Sequence, residues 1–293
     1  MREHTDKFLV LPDTKVSLKN YNPTYNKGFE SEEETRKHLK KDIKRLRKLQ
    51  DKLYAHNKYS VLLIFQAMDA AGKDGAIKRV MSGLNPQGCQ VYSFKHPSKE
   101  EYDHDYLWRH YKALPERGRI GIFNRSHYEN VLITKVHPEY ILSEQLPNIK
   151  TVEQIDDAFW QRRYEQIREF EQHISENGTI ILKFFLHLSK KEQKVRFLER
   201  IDNPEKNWKF SYGDINERGY WDKYQAAYEQ AINETSTQKA PWYIVPADNK
   251  WFTRAAIANI IAEKLETLDV KYPDLPQKEM DKLVQAKADL LSE

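Results

Sequence analysis

The chain has 293 residues, 31% charged and 39% hydrophobic, and a net charge of only +4 although Lys and Arg total 48. That length can bury a full core and still carry an inserted subdomain, and the composition suits a folded protein with a charged surface. No run approaches the roughly 18 consecutive apolar residues of a membrane span. Residues 1–13 lack the apolar stretch of a secretory signal, and the single cysteine, Cys89, excludes an intramolecular disulfide. These features predict a soluble, cytoplasmic protein with no membrane partner. The near-balanced charge still leaves room for a basic groove facing an anionic ligand.

Residues 1–57 read as an N-terminal arm followed by a helix. The arm, to about residue 30, carries Pro12, Pro23 and Gly28 and little periodicity. Ser31-x-x-Glu34 is a capping box, and Leu39, Ile43, Leu46, Leu49 and Leu53 repeat at helical spacing, which predicts a helix over 32–56. Its Lys40, Lys41, Lys44, Arg45, Arg47 and Lys48 form a basic outer face, read as solvated. Ser60–Phe65 is a short apolar run of the kind a parallel sheet buries on both faces. Similar runs recur at 90–94, 119–123, 179–188 and 242–246, with helical patterns at 75–84, 102–113, 152–177 and 252–268. Alternation of this kind predicts a parallel five-stranded sheet sandwiched by helices, an α/β fold. Its core would span 58–189 and 236–270. Helical patterns at 190–200 and 217–233, around a polar, aromatic stretch, predict a helical lid insertion over 190–235. Residues 271–293 end in a further amphipathic helix, so the whole chain reads as one domain.

The chemistry is concentrated after the first strand, in Gln66-Ala-Met-Asp69-Ala70-Ala71-Gly72-Lys73-Asp74-Gly75. Strand, small-residue loop and helix follow one another as a phosphate-binding loop of the Walker A kind requires. Small residues let the backbone close on phosphate oxygens, the helix start adds partial positive charge, and Lys73 supplies a point charge. Ala67 replaces the usual first glycine and Asp74 the usual Ser or Thr. Asp69 sits where bound phosphate would repel it unless a cation intervened, which makes it a candidate Mg²⁺ ligand or general base. The strand at 119–123 leads into Asn124-Arg125-Ser-His-Tyr-Glu129. Arg125 suits a bidentate grip on a transferring phosphate, and Glu129 either restores the acid missing at Asn124 or contacts a nucleotide. Lys78, Arg79, Lys95 and Arg109 are candidates for a basic track. The histidines show no metal-binding spacing.

Asp69-Ala-Ala-Gly-Lys-Asp-Gly75, Asn124-Arg-Ser-His-Tyr-Glu129 and Leu107-Trp-Arg-His-Tyr111 together resemble the family 2 polyphosphate kinases, and Asn124 and His127 are similar to class III of that family. The resemblance runs from about residue 10 to 270. It implies a phosphate-loop (thymidylate-kinase-like) fold with a helical lid. It also implies reversible Mg²⁺-dependent transfer (Mn²⁺ a possible substitute) of the terminal phosphate of inorganic polyphosphate to AMP and ADP, giving ADP and ATP, and a homo-oligomer, tetramer or dimer. By the same resemblance Asp69 holds the metal, Glu129 lies near the nucleotide or a metal, Lys73 and the loop hold the transferred phosphate, Arg125 neutralises its charge, and Arg200 closes from the lid. Two other functions stand beside this one: an ordinary kinase with ATP as donor, and a nucleic-acid module using residues 40–48. No base-reading motif accompanies that basic helix, so no nucleic-acid partner is expected.

Overall fold

The computed structural model describes residues 6–29 and 31–293, without the Lys209 side chain; positions 1–5 of the expected arm lie outside the described residues. Six strands form one sheet: β1 (Leu9–Val10), β2 (Ser60–Ala67), β3 (Cys89–Ser93), β4 (Ile120–Asn124), β5 (Thr179–His187) and β6 (Trp242–Pro246), in the order β1-β6-β5-β2-β4-β3. The five expected strands are present and mutually parallel. The sheet itself is six-stranded, because the arm adds β1 antiparallel to β6, with Leu9 opposite Tyr243 and Val10 opposite Trp242. Two residues carry no readable period, so this strand was invisible in the sequence. It covers the edge that β6 would otherwise expose.

The described residues form eight longer helices: α1 (Glu32–His56), α2 (Lys73–Val80), α3 (Asp157–Glu176), α4 (Lys190–Asp202), α5 (Tyr212–Gly219), α6 (Trp221–Thr235), α7 (Lys250–Glu266) and α8 (Gln277–Leu291). All eight residues of β2 are buried, as expected of a central strand. Their alternation splits the interior in two. Val61, Leu63 and Phe65 pack into a core with α1, α2 and α7, whereas Leu62 and Ile64 join Tyr164, Ile167, Tyr228 and Ile232 of α3 and α6 on the other face. The chain leaves β2 for β3 and β4 on one side and for β5 and β6 on the other. The carboxyl end of β2 is therefore a topological switch point, where such sheets open a crevice.

Local hydrogen bonding decided where helices begin. The Ser31 hydroxyl accepts from Glu34 N–H and α1 spans its expected range, ending at Asn57 with φ 51°. The expected helix at 102–113 is instead two short pieces, Lys99–Tyr102 and Trp108–Lys112. Ser98 and Glu101 cap the first reciprocally, and Asp105 captures Leu107 N–H before the second. The helix expected from 152 starts at Asp157, because Asp156 accepts from Phe159 N–H. The lid region holds three helices where two were expected: Ser211 caps α5 early, and the chain breaks at Tyr220. Lys40, Lys41, Lys44, Arg47 and Lys48 are exposed on α1, but Arg45 is not part of that solvated face. It is tied to Asp42 at 2.6 Å and to Glu266 of α7 at 2.7 Å. Helix α8 is exposed along its whole length. Among the described residues no helix is long and apolar enough to cross a membrane.

One polar cluster is sealed into the second core. Lys183 of β5 is fully buried, and its ammonium donates to Glu171 at 2.6 Å, the Tyr128 hydroxyl at 2.8 Å and the Thr235 carbonyl at 2.8 Å. Glu171 also accepts from the Tyr128 hydroxyl at 2.8 Å and lies 3.3 Å from His127 Nε2. Burial pushes the Glu171 carboxyl up, but Lys183 and His127 outweigh it and hold the acid below its usual range. Breaking one half of such a pair strands the other charge. Lys183→Met is expected to destabilise the fold by about 3–5 kcal/mol in urea unfolding, and adding Glu171→Gln should recover part of that loss. A Lys183→Met protein as stable as the parent would show that the pair is not an obligate couple.

Candidate active site

The turn between β2 and α2 is shaped by two left-handed residues, Ala70 (φ 63°) and Gly72 (φ 97°). At Gly72 glycine adopts this conformation freely; at Ala70 it is strained. Arg196 of α4 holds the turn in place. Its guanidinium donates to the carbonyls of Ala70 (3.1 Å) and Ala71 (2.9 Å) and, beyond the end of β6, to those of Ala247 (2.7 Å) and Asp248 (2.9 Å). Gln193 of the same helix donates to the Asp69 carbonyl at 3.0 Å. These bonds occupy loop carbonyls, while the first turn of α2 leaves N–H groups with no intrahelical partner. The result is a backbone cradle for an anion.

Around that cradle the charged side chains converge. The Lys73 ammonium folds back to the Ala67 carbonyl at 3.1 Å, and burial and then Arg125 lower its pKa against the opposing pull of Asp69, Glu129 and Asp74. Arg125 follows the end of β4 in a left-handed conformation (φ 64°) and donates its N–H to the Phe65 carbonyl at 3.0 Å. Its guanidinium lies 3.3 Å from Asp69 and 3.9 Å from Glu129; the Glu129 charge above all raises its pKa. Asn124 donates its amide to Asp74 at 2.7 Å. From the helical insertion Arg200 reaches within 3.7 Å of Asp214, whose carboxyl is raised above its usual range by burial and by the Asp69 charge.

A cavity of about 770 Å³ opens over the loop, lined by Ala70 to Gly75, Asp69, Lys95, Asn124, Arg125 and Arg200 among the residues singled out in the sequence. A smaller cavity of about 220 Å³ shares Asp69, Arg125 and Asp214 with it and reaches Glu129. Two track candidates lie elsewhere: Lys78 and Arg79 are exposed and outside the lining of the large cavity. Arg109 is turned away from it as well, stacked over Phe94, paired with Glu101 at 3.2 Å and bonded to the Lys95 carbonyl. In their place the fold brings Lys206, Lys250 and Arg254 to the large cavity. Arg254 has its pKa lowered by burial and then by the charges of Arg79, Arg196 and Arg36. No motif announced these residues, because their convergence depends on α4 and α7 meeting at the loop.

Among the described residues no group of three or more His, Cys, Asp or Glu stands ready to enclose a metal. The carboxylates fit a hard divalent ion held by one or two acids plus phosphate oxygens. Asp214 feels the charge of Asp69, and a cation between them would relieve that repulsion.

A mainly parallel sheet, an anion cradle at its switch point and cations converging from three sides define a phosphate-loop phosphotransferase. Comparison with known proteins gives the family. The model of the polyphosphate kinase 2 family matches residues 29–273, and the chain belongs to that family. It is 52% identical over 291 residues (99% of this chain, 100% of the relative) to the ADP-polyphosphate phosphotransferase of Rhodopseudomonas palustris. It is 44% identical to the AMP/ADP-polyphosphate phosphotransferase of Meiothermus ruber, over 95% of this chain and 98% of that one. The crystal structure of polyphosphate kinase 2 from Arthrobacter aurescens superposes with a TM-score of 0.85 at 38% identity, covering 96% of each chain.

The depressed Lys73 predicts a measurable proton balance. Its ammonium is lost at a lower pH than that of an ordinary lysine, and a bound anion restores it. Calorimetry of tripolyphosphate binding on the alkaline side of neutrality, in buffers of different ionisation enthalpy, should register net proton uptake. The uptake should fade towards neutral pH and be absent in Lys73→Met; equal uptake in both proteins would contradict the assignment.

Proposed function

We propose that this chain transfers the terminal phosphate of inorganic polyphosphate to AMP and to ADP, reversibly and with Mg²⁺, as a class III member of its family. The observation that carries the reading is the gathering of Lys73, Arg125, Arg200, Lys250 and Arg254 around one open cavity at the switch point. A polyanion longer than a nucleotide's own phosphates is the ligand that such an array of cations suits. The relative from Meiothermus ruber is named an AMP/ADP-polyphosphate phosphotransferase, which supports both acceptors.

Transfer needs alignment and charge neutralisation more than covalent help. An oxygen of the acceptor phosphate attacks the terminal phosphorus of the chain, the P–O–P bond to the next phosphate breaks, and the chain leaves one unit shorter. At neutral pH the acceptor phosphate is largely ionised, since its second pKa is about 6. Asp69 therefore serves to orient, more than to remove a proton. Lys73 and the loop amides hold the phosphate in flight, and Arg125 faces it from β4. Arg200 closes from the lid formed by residues 190–235. Asp69, with Glu129 or Asp214 nearby, would hold Mg²⁺, or Mn²⁺ in its place, and the ion would supply positive charge against the phosphates. A cytoplasmic homo-oligomer, tetramer or dimer, with no nucleic-acid partner completes the proposal.

The test is to incubate the pure protein with polyphosphate, Mg²⁺ and AMP in the absence of ATP. ADP should appear first, then ATP. Turnover with ATP as donor and none with polyphosphate would select an ordinary nucleotide kinase instead. Asp69→Asn should lower Mg²⁺-dependent turnover by about a hundredfold or more; near-parental rates would remove it from the metal site. Arg200→Ala is expected to reduce kcat by at least about tenfold while leaving the midpoint of urea unfolding nearly unmoved. A variant that loses stability in proportion to its rate would make Arg200 a structural residue.

A further inference from the structure

At the β6 edge of the sheet the N-terminal arm encloses another cavity, of about 470 Å³. That volume falls within the roughly 300–1,000 Å³ of small-molecule sites. Its floor is the end of two strands: His187 closes β5, and Ile244 and Pro246 belong to β6. It shares no lining residue with the cavities at the phosphate loop. The arm that walls it is tied down at several points. Glu229 of α6 accepts from Leu18 N–H at 2.7 Å, and Asn233 of the same helix accepts from Val16 N–H at 2.8 Å. The Tyr21 carbonyl lies 3.0 Å from His187 Nε2, and the Pro23 carbonyl accepts from Asp248 N–H at 3.1 Å. Residues 16–23 therefore hold a fixed course around the hollow.

No acid lines this space, but Lys7 and Lys15 do. Burial lowers the pKa of His187, so the two lysines carry the charge of the lining. Among the described residues neither lysine forms an ion pair, and the Lys7 ammonium lies over the Tyr25 ring, 5.2 Å from its centre. Such a lining favours an anion. A bare phosphate would leave the rest of it unused. Phe8, Tyr21 and Tyr25 supply aromatic walls. The exposed Asn20 amide makes no hydrogen bond among the described residues; it offers a donor and an acceptor side by side, the complement of a base edge. Burial raises the Tyr21 phenol, which keeps its proton and can donate. An anion that also carries a planar, hydrogen-bonding ring uses all of these groups at once.

We propose that this hollow under the arm is a nucleotide site separate from the transfer site, in which Lys7 and Lys15 meet the phosphates, Tyr21 and Tyr25 flank the base and Asn20 takes its edge. Stacking on an aromatic side chain supplies affinity for any base, and the amide adds a preference among them. The site adjoins the anchor of the phosphate loop. The His187 carbonyl accepts from Ala247 N–H at 2.9 Å, and the Ala247 carbonyl is one of the four that Arg196 holds. A nucleotide bound here fastens the arm to the strand ends one residue away from that anchor.

The test uses the full chain and photoactivatable 8-azido-ATP, with labelled peptides mapped by mass spectrometry. Divalent metal is left out, since no acid lines the site, and excess tripolyphosphate is added to fill the transfer cavity. Labelling within residues 7–25 that ATP suppresses and tripolyphosphate does not is expected. No label in that segment, or one that tripolyphosphate displaces as readily as ATP does, overturns the assignment. In the double variant Lys7→Glu and Lys15→Glu the azido-ATP concentration that half-saturates this label should rise at least about tenfold; an unchanged value also overturns it. Should the double variant fail to fold, the labelling of the parent decides alone. A parent that makes no ADP from AMP and polyphosphate would sink the transfer reading and leave this result standing.

Discussion

The site depends on keeping one guanidinium, that of Arg196, in contact with four carbonyl oxygens at the ends of two strands. A backbone turn that binds anions must send its carbonyls elsewhere, and a buried carbonyl needs a donor. Arg196 is nine-tenths buried or more and supplies those donors from a helix of the insertion, with Glu192 fixing its Nε at 2.8 Å. The strain of Ala70 in a left-handed conformation is offset by these bonds. The same contact joins the end of β2, the end of β6 and α4 into one unit, so the root of the insertion cannot move without the loop.

Opposite the loop stands the segment from Arg125 to Glu129, held from beneath in another way. His127 and Tyr128 are fully buried and reach the Glu171–Lys183 pair, while Arg125 and Glu129, their neighbours in sequence, face the cavities. A short 3₁₀ turn thus presents its functional residues because its other side chains are locked into a charged core. Apolar residues would pack there with less desolvation cost. The ionic version ties the turn to Glu171 through His127 and Tyr128. Rigidity of this kind is what precise placement of a phosphate demands.

What could be read from the sequence was local. Helix α1 was legible because its cap and apolar period lie within 25 consecutive residues. The loop was legible because strand, small residues and lysine are contiguous. Arg125 and Glu129 followed from their place at a strand end. Residues that act across the fold were not legible. Arg196 sits in a helix of ordinary amphipathic pattern, and Arg254 lies far along the chain on α7, yet both meet the loop; Gly75 is so close to Arg254 that an added Cβ would sit 3.4 Å from its guanidinium. Arg109 erred the other way. It was a candidate for the basic track, but a nearby aromatic face and Glu101 claim it. A cation's role depends on which partner reaches it first, and that is decided by tertiary packing.

The crowding of cations at the cavity reaches beyond binding. Burial and then the charges of Arg79, Arg196 and Arg36 disfavour the charged form of Arg254, and an anion bound beside it would offset both. Any anion binding the native but not the unfolded chain adds stability in proportion to the logarithm of its concentration. Cellular phosphate reserves would then regulate how much of this enzyme persists as well as how fast it works: abundance of the fuel would protect the engine, and its depletion would expose the engine to proteolysis.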